Sequence, residues 1–337
     1  MRVPNIDELF APVAVGAGGT SDPCWGPAPV LTQAECALTG VSSARYGHLA
    51  VNSAAQINNK FYGNASLTPE KADTYTLGLV FQPSFIPNLV MSLDAYKIKI
   101  DNTITSLSPT AIVYNCALGF DPTACGRITR SPGSQSLWLN TTGFVDNSEE
   151  NVGQNKTSGA DVSGHYNLAM GGAGKLGFNL VGTYVHEFIL QTSPGGGAYD
   201  CVGHFGVNCF APLPKWRHTF TLDWGTPWWG FDLLLRWRYL GSTTTDRSSS
   251  EPLLKSAYYP STATIPAYNY IDLGGSIPVG DHVELRAGVN NIADKNPPLI
   301  LNGALTDCPN TTCNNNTWVG TYDTLGRYIY FNVTAQF

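Results

Sequence analysis

Charge is scarce in this 337-residue sequence. Only 13% of its residues are Asp, Glu, Lys or Arg, about half of the roughly 25% carried by a typical soluble domain. Long-helix and coiled-coil chains are rich in Ala, Glu, Lys, Leu and Arg, so that class is excluded. There is no run of Lys and Arg and the net charge is −6, so no nucleic acid is expected as a partner. No run of about twenty apolar residues, the length of a membrane-crossing helix, is present. The densest patch, Trp228 to Leu240, is broken by Asp232, Arg236 and Arg238. The opening residues, Met1 to Glu8, lack the apolar core of a signal peptide and carry early acids. Signs of catalysis are equally sparse. There is no G-x-S-x-G elbow, and after His186-Glu187 the place of a second zinc-protease histidine is taken by Leu190. Gly171 to Lys175 lacks phosphate-loop spacing and reads as a hairpin turn. The chain is not expected to be an enzyme, and no cofactor or metal is expected.

What the sequence does hold is apolar, aromatic and turn-forming. Hydrophobic residues make up 43%, aromatics 11% with eight tryptophans, and there are 35 glycines and 22 prolines. That much apolar content supports a core and excludes intrinsic disorder. The eight cysteines fall into four local pairs, Cys24/Cys36, Cys116/Cys125, Cys201/Cys209 and Cys308/Cys313. None has the C-x-x-C spacing of a zinc site. Disulfides are the expected state, although eight cysteines allow 105 connectivities. Disulfides imply an oxidising compartment, which conflicts with the missing leader and suggests that the true start lies upstream of Met1.

Strict alternation marks nine strands, each with two unlike faces. Trp216, His218, Phe220, Leu222 and Trp224 share one face of a strand, and Leu233, Leu235, Trp237 and Tyr239 one face of the next. Ile271, Leu273 and Ile277, then Val283, Leu285 and Val289, continue the pattern. The last strand sets Ile329, Phe331, Val333, Ala335 and Phe337 against Tyr328, Tyr330, Asn332, Thr334 and Gln336. Earlier strands are noisier. Leu89, Met91, Leu93 and Ala95 share a face, after which the phase changes to Ile98 and Ile100; a bulge or an exit from the apolar layer near Tyr96 would explain it. Connections alternate in length: short near 82–88, 170–174, 225–228 and 278–281, long near 102–155, 190–213, 243–266 and 293–326. A transmembrane β-barrel has this asymmetry, with short turns on one side and long loops on the other. All four cysteine pairs fall in long connections. Trp224, Trp228 and Trp229 flank one short turn, and Trp216 and Tyr239 stand eight to ten residues away. At about 3.3 Å per residue and about 40° tilt that is roughly 25 Å, the height of the apolar band between two aromatic girdles. Charges then collect on the inner face: Asp161, His165, Arg217, Asp223, Asp232, Arg236, Arg238, Asp272, Glu284 and Arg286. Most should pair with one another or with a plug; Arg217, Arg236 and Arg238 are candidates to guide an anionic ligand.

Several segments resemble one family, the TonB-dependent outer-membrane receptors. Arg2-Val3-Pro4-Asn5-Ile6-Asp7-Glu8-Leu9-Phe10 is similar to their RAPN..ELF segment, and Asn64-Ala65-Ser66-Leu67-Thr68-Pro69-Glu70 to their NP.L.PE segment, with Ala65 in place of proline. Leu93 to Ile98 resembles the strand that follows. Gly288-Val289-Asn290-Asn291-Ile292-Ala293-Asp294-Lys295 resembles a late G..NlfdK motif, and Gly326-Arg327-Tyr328 to Phe337 the closing strand. The resemblance implies an all-β fold: a transmembrane antiparallel β-barrel fragment of about nine strands, the 14th to 22nd of a 22-stranded barrel, without plug, TonB box or leader. Residues 1–70 would be an extracellular loop segment with a disulfide, and 71–337 the C-terminal barrel part with long extracellular loops. The implied place is the bacterial outer membrane. The implied partners are outer-membrane lipid, TonB through the missing plug, and a ligand: most often a ferric siderophore, with cobalamin or an oligosaccharide as alternatives. The terminal strand, with Phe331, Val333, Ala335 and Phe337, resembles the signal read by the barrel-assembly machinery. A secreted disulfide-bonded all-β enzyme or lectin, and a passive porin, remain the alternative readings.

Overall fold

The structure, a computed structural model, describes residues 1–19, 21–191, 197–255, 258–300 and 317–336. Nine strands follow one another in the main sheet, each beside its neighbours in sequence. They are β1 (Lys71–Phe81), β2 (Leu89–Thr105), β3 (Glu150–Ala169), β4 (Lys175–Gln191), β5 (Trp216–Gly225), β6 (Asp232–Leu240), β7 (Tyr268–Val279), β8 (Val283–Asn290) and β9 (Tyr328–Ala335). The sheet is not closed: β1 and β9 are its two edges and do not pair with each other. Among the described residues no helix is long and apolar enough to cross a membrane.

The chain forms two compact units. One comprises Thr74–Ile98, Lys156–Ile189 and Tyr199–Phe337; the other comprises Met1–Asp73, Lys99–Asn155 and Leu190–Ala198. The phase change expected near Tyr96 has its reason here. Strand β2 is continuous, but it passes from one unit into the other after Ile98, so its residues change surroundings there.

The first unit is the wall. Its register keeps like residues together, because the period of two puts a whole column on one face only when the pairing is in phase. One apolar row crosses six strands: Phe178, Leu222, Leu235, Leu273, Val289 and Ile329 are successive cross-strand partners. Protein covers this row only in part: Phe178, Leu222 and Val289 are half-buried, while Leu273 is 41% exposed and Ile329 72%. An exposed apolar row of this length marks a surface that meets another apolar phase or a partner. Aromatics mark both ends of the β5–β6 pair. Trp224 meets Trp228 edge to face at 5.7 Å, beside the short turn. At the other end His218 stacks on Tyr239 at 5.1 Å and meets Trp237 at 4.5 Å. The turns are tight. Gly174 ends the β3–β4 turn at φ +90, where a Cβ would collide with the carbonyl of Gly225.

The second unit carries structure in stretches that the sequence presented as long connections. It contains helices α1 (Ile6–Phe10), α2 (Gln33–Leu38) and α3 (Pro109–Ala117). Asn5 and Thr32 cap the first two with reciprocal bonds to Glu8 and Glu35. Ser108 caps α3, with Pro109 in its first turn. A small four-stranded sheet includes Ala14–Gly19 and Ile57–Phe61. Its core packs Ile57, Ile112, Val113, Leu137 and Val145, all at or near zero exposure. A second cluster gathers Cys24, Leu31, Cys36, Val41 and Leu49.

Candidate functional site: the polar face of the wall

Opposite the apolar row, the polar column of the wall is organised around Asp272. Its register partner is Arg236, and the carboxylate, 2% exposed, receives Arg236 Nε at 2.8 Å and Arg238 Nε at 2.9 Å. It also accepts the backbone N–H of Asn291 at 2.8 Å. Arg238 reaches further. Its Nη1 and Nη2 donate to Asp323 at 3.0 and 2.6 Å, and its guanidinium lies over the Tyr270 ring at 4.9 Å. Of the three arginines singled out from the sequence, Arg236 and Arg238 therefore meet at one buried carboxylate. Arg217 stands apart: it pairs in register with Thr183 and makes no ion pair among the described residues.

Nearer the short turns the same face opens into a cleft of about 750 Å³, lined among others by His165, Lys175, Asp223, Asp232, Arg286 and Tyr330. Small residues make the space. Gly177, Gly274 and Gly288 lie on this face and project nothing into it, and the Tyr330 ring crosses its register partner Gly288 to reach Gly274. A Cβ at Gly288 would collide with that ring, so glycine is needed there for close approach. Around the cleft the charges are mixed. Arg286 binds Glu284, and His165 bonds Asn179 and Asn167. Scattered carboxylates and amides of this kind offer hydrogen bonds to a polar guest without forming a nucleophile–base pair. His186 and Glu187 lie on β4, not on a helix, and Glu187 is bound to Lys156 and Ser158.

The cysteines hold the connections. Cys24–Cys36, Cys116–Cys125 and Cys201–Cys209 are disulfides; Cys308 and Cys313 lie outside the described residues, as does Phe337. Phe331, Val333 and Ala335 lie on edge strand β9. Asp246, from the stretch after β6, pegs the loop closed by Cys201–Cys209. Its Oδ2 accepts the N–H groups of Asn208 and Cys209 at 2.7 and 3.0 Å, and the residue has no exposure. Burial pushes its carboxyl above the usual range, partly offset by those two N–H groups. Near α2, Asp22 and Arg130 form a buried pair whose donors are all engaged. The sequence had drawn attention to Asp272 only as one of many inner-face charges. Asp323, Asp22 and Arg130 each lie in an aperiodic stretch, where alternation gives no signal.

The sequence profile of the TonB dependent receptor-like, beta-barrel family matches residues 1–292. The chain belongs to that family. TonB-dependent receptors are outer-membrane transport proteins, not enzymes. Solved structures agree on the fold. A double mutant of the ferric enterobactin receptor PfeA from Pseudomonas aeruginosa is 16% identical, with a TM-score of 0.57 over 99% of this chain and 36% of that one. A single mutant of the same receptor in complex with enterobactin is 19% identical, with a TM-score of 0.52 over 83% of this chain and 33% of that one. The siderophore receptor PirA from Acinetobacter baumannii is 15% identical, with a TM-score of 0.52 over 83% and 34%. The chain thus spans about a third of the length of these receptors. No curated protein matches it.

Proposed function

We propose that this chain is the C-terminal barrel wall of a TonB-dependent outer-membrane receptor that imports a ferric siderophore. The observation that carries the reading is the family match over residues 1–292, joined to a wall with one bare apolar face and one charged face. The ferric enterobactin receptor and PirA, which share the fold, are named for siderophores, and they supply the ligand class. Under this reading residues 1–70 lie outside the cell, 71–337 form the barrel part with its external connections, and lipid contacts the row from Phe178 to Ile329. Arg217, free of ion pairs among the described residues, is the wall arginine best placed to draw an anionic ligand inward, while Arg236 and Arg238 are held by Asp272. Coupling to TonB belongs to a plug outside this chain. The test is iron-limited growth of the host after deletion of the gene: ferric siderophore uptake should be lost and restored by the intact gene. Unchanged uptake of every ferric siderophore supplied would reject the ligand class.

Phe337 and the apolar column Phe331, Val333 and Ala335 are proposed as the signal that the barrel-assembly machinery reads. Deleting Phe337 from the full-length receptor should lower the amount inserted in the outer membrane several-fold, measured by fractionation. Normal insertion of that truncation would reject the signal.

A further inference from the structure

The two carboxylates on Arg238 are not equivalent. Asp272 is fixed: it is buried, and Arg236 and the Asn291 N–H hold it as well. Asp323 sits on the segment before β9, and its side chain bonds only Arg238 among the described residues. Its backbone N–H donates to the Tyr270 hydroxyl at 3.3 Å. Arg238 and Asp323 are 29% and 28% exposed, so the outer side of the guanidinium fork is within reach of a solute. Asp272 and the Tyr270 ring keep that fork oriented whether or not Asp323 is on it. A planar fork held in place is the geometry that takes a carboxylate in two parallel hydrogen bonds.

The segment itself is balanced. Trp318 and Tyr322 are buried against Tyr268 and Tyr270, which favours the closed position. Against it, Thr317 Oγ1 and Trp318 Nε1 are buried with no hydrogen-bond partner among the described residues. Unsatisfied buried groups are costly, and release into water would satisfy both. Opposed terms of this kind make an element that a modest change can move.

We propose that Arg238 is an anion site whose resident occupant is Asp323, and that a carboxylate-bearing solute taking its place releases the strap Thr317–Asp323 from the wall. The differential affinity that any such shift requires is built in, because the solute finds the outer fork of Arg238 only when Asp323 has left. The proposal rests on the reading of the polar face as the ligand side.

Hydrogen exchange of the purified full-length receptor in detergent tests it, with citrate as the probe. Asp323→Asn should speed exchange of Thr317–Asp323 about tenfold, as loss of a charge-assisted double hydrogen bond would. Asp323→Glu keeps the carboxylate and should stay near wild type. Citrate should speed the same amides in the wild type, chloride at matched ionic strength should not, and citrate should add nothing to Asp323→Asn. Peptides from β5 should be unchanged throughout, which shows that the variants are folded. Wild-type exchange in Asp323→Asn, equal acceleration in Asp323→Glu, or no effect of citrate beyond that of chloride would each overturn the proposal. Uptake is not read in this experiment, so a failure of the siderophore reading shows itself separately, in the growth assay.

Discussion

Replacing Arg130 by methionine is expected to destabilise the unit that contains α2 and α3 by about 3–5 kcal/mol, the usual cost of leaving one member of a buried ion pair alone. Arg130 and Asp22 are each only 3% exposed and are 108 residues apart in sequence. Every N–H of the guanidinium has an acceptor. Nη1 and Nη2 grip the two Asp22 oxygens at 2.6 and 3.1 Å. Nε binds the Thr39 carbonyl, and the remaining donors reach Gln135 O and Thr39 Oγ1. Asp22 in turn accepts the N–H of Cys24, so the pair sits beside the Cys24–Cys36 disulfide. Arg130→Met leaves the Asp22 carboxylate with one donor and little water. Arg130→Lys should recover only part of the loss, because an ammonium cannot form the fork. The double variant Asp22→Leu/Arg130→Leu should be less damaged than Arg130→Met, since no charge is then stranded. Urea titration followed by tryptophan fluorescence can measure this, as Trp25 packs on the neighbouring core. A shift below about 0.5 kcal/mol for Arg130→Met would show that the pair is not a keystone, since surface changes already reach that size.

The second large effect is expected on the wall. Leu235→Arg places a charge in the middle of the apolar row, between Leu222 and Leu273. Such a charge costs about 2–4 kcal/mol near the bilayer midplane. Leu234 is one residue away and lies on the opposite face, where its register partner is Asp223 and it lines the cleft. Leu234→Arg should therefore insert and fold nearly as well as wild type, with Asp223 as a counter-charge. The comparison controls for residue type and strand position, leaving the face as the variable. Refolding of the full-length receptor into lipid vesicles, read by resistance to heat-induced gel shift, separates the two. Equal loss in both variants, or none in either, would mean that the row does not face lipid.

Much of the wall was legible in the sequence because one simple rule governs it. A strand with one apolar and one polar face must alternate, and alternation survives in a list of letters. The short turns were legible for a related reason: residues 82–88 and 170–174 are turn-rich, and the structure places them between successive wall strands. Three of the four local cysteine pairs could also be read, since short loops bring their ends together without help from the rest of the fold.

The unit around α2 and α3 could not be read in that way. Ile57, Leu137 and Val145 lie in short stretches with no sustained period to mark them, yet they meet Ile112 and Val113 in one core. Nothing local says that Asp22 will find Arg130. The polar face poses the same problem on a smaller scale. Arg236 and Arg238 were recognisable as inner-face charges, but their common partner depends on the register that sets Arg236 against Asp272. Asp323 joins them from an aperiodic segment. The sequence by itself determined which residues share a face of each wall strand, where the chain turns and, for three pairs, which cysteines are neighbours. Only the tertiary structure decided which charges are spent on each other and which remain open to a solute, because ion pairs depend on distance in space, and alternation records only the face.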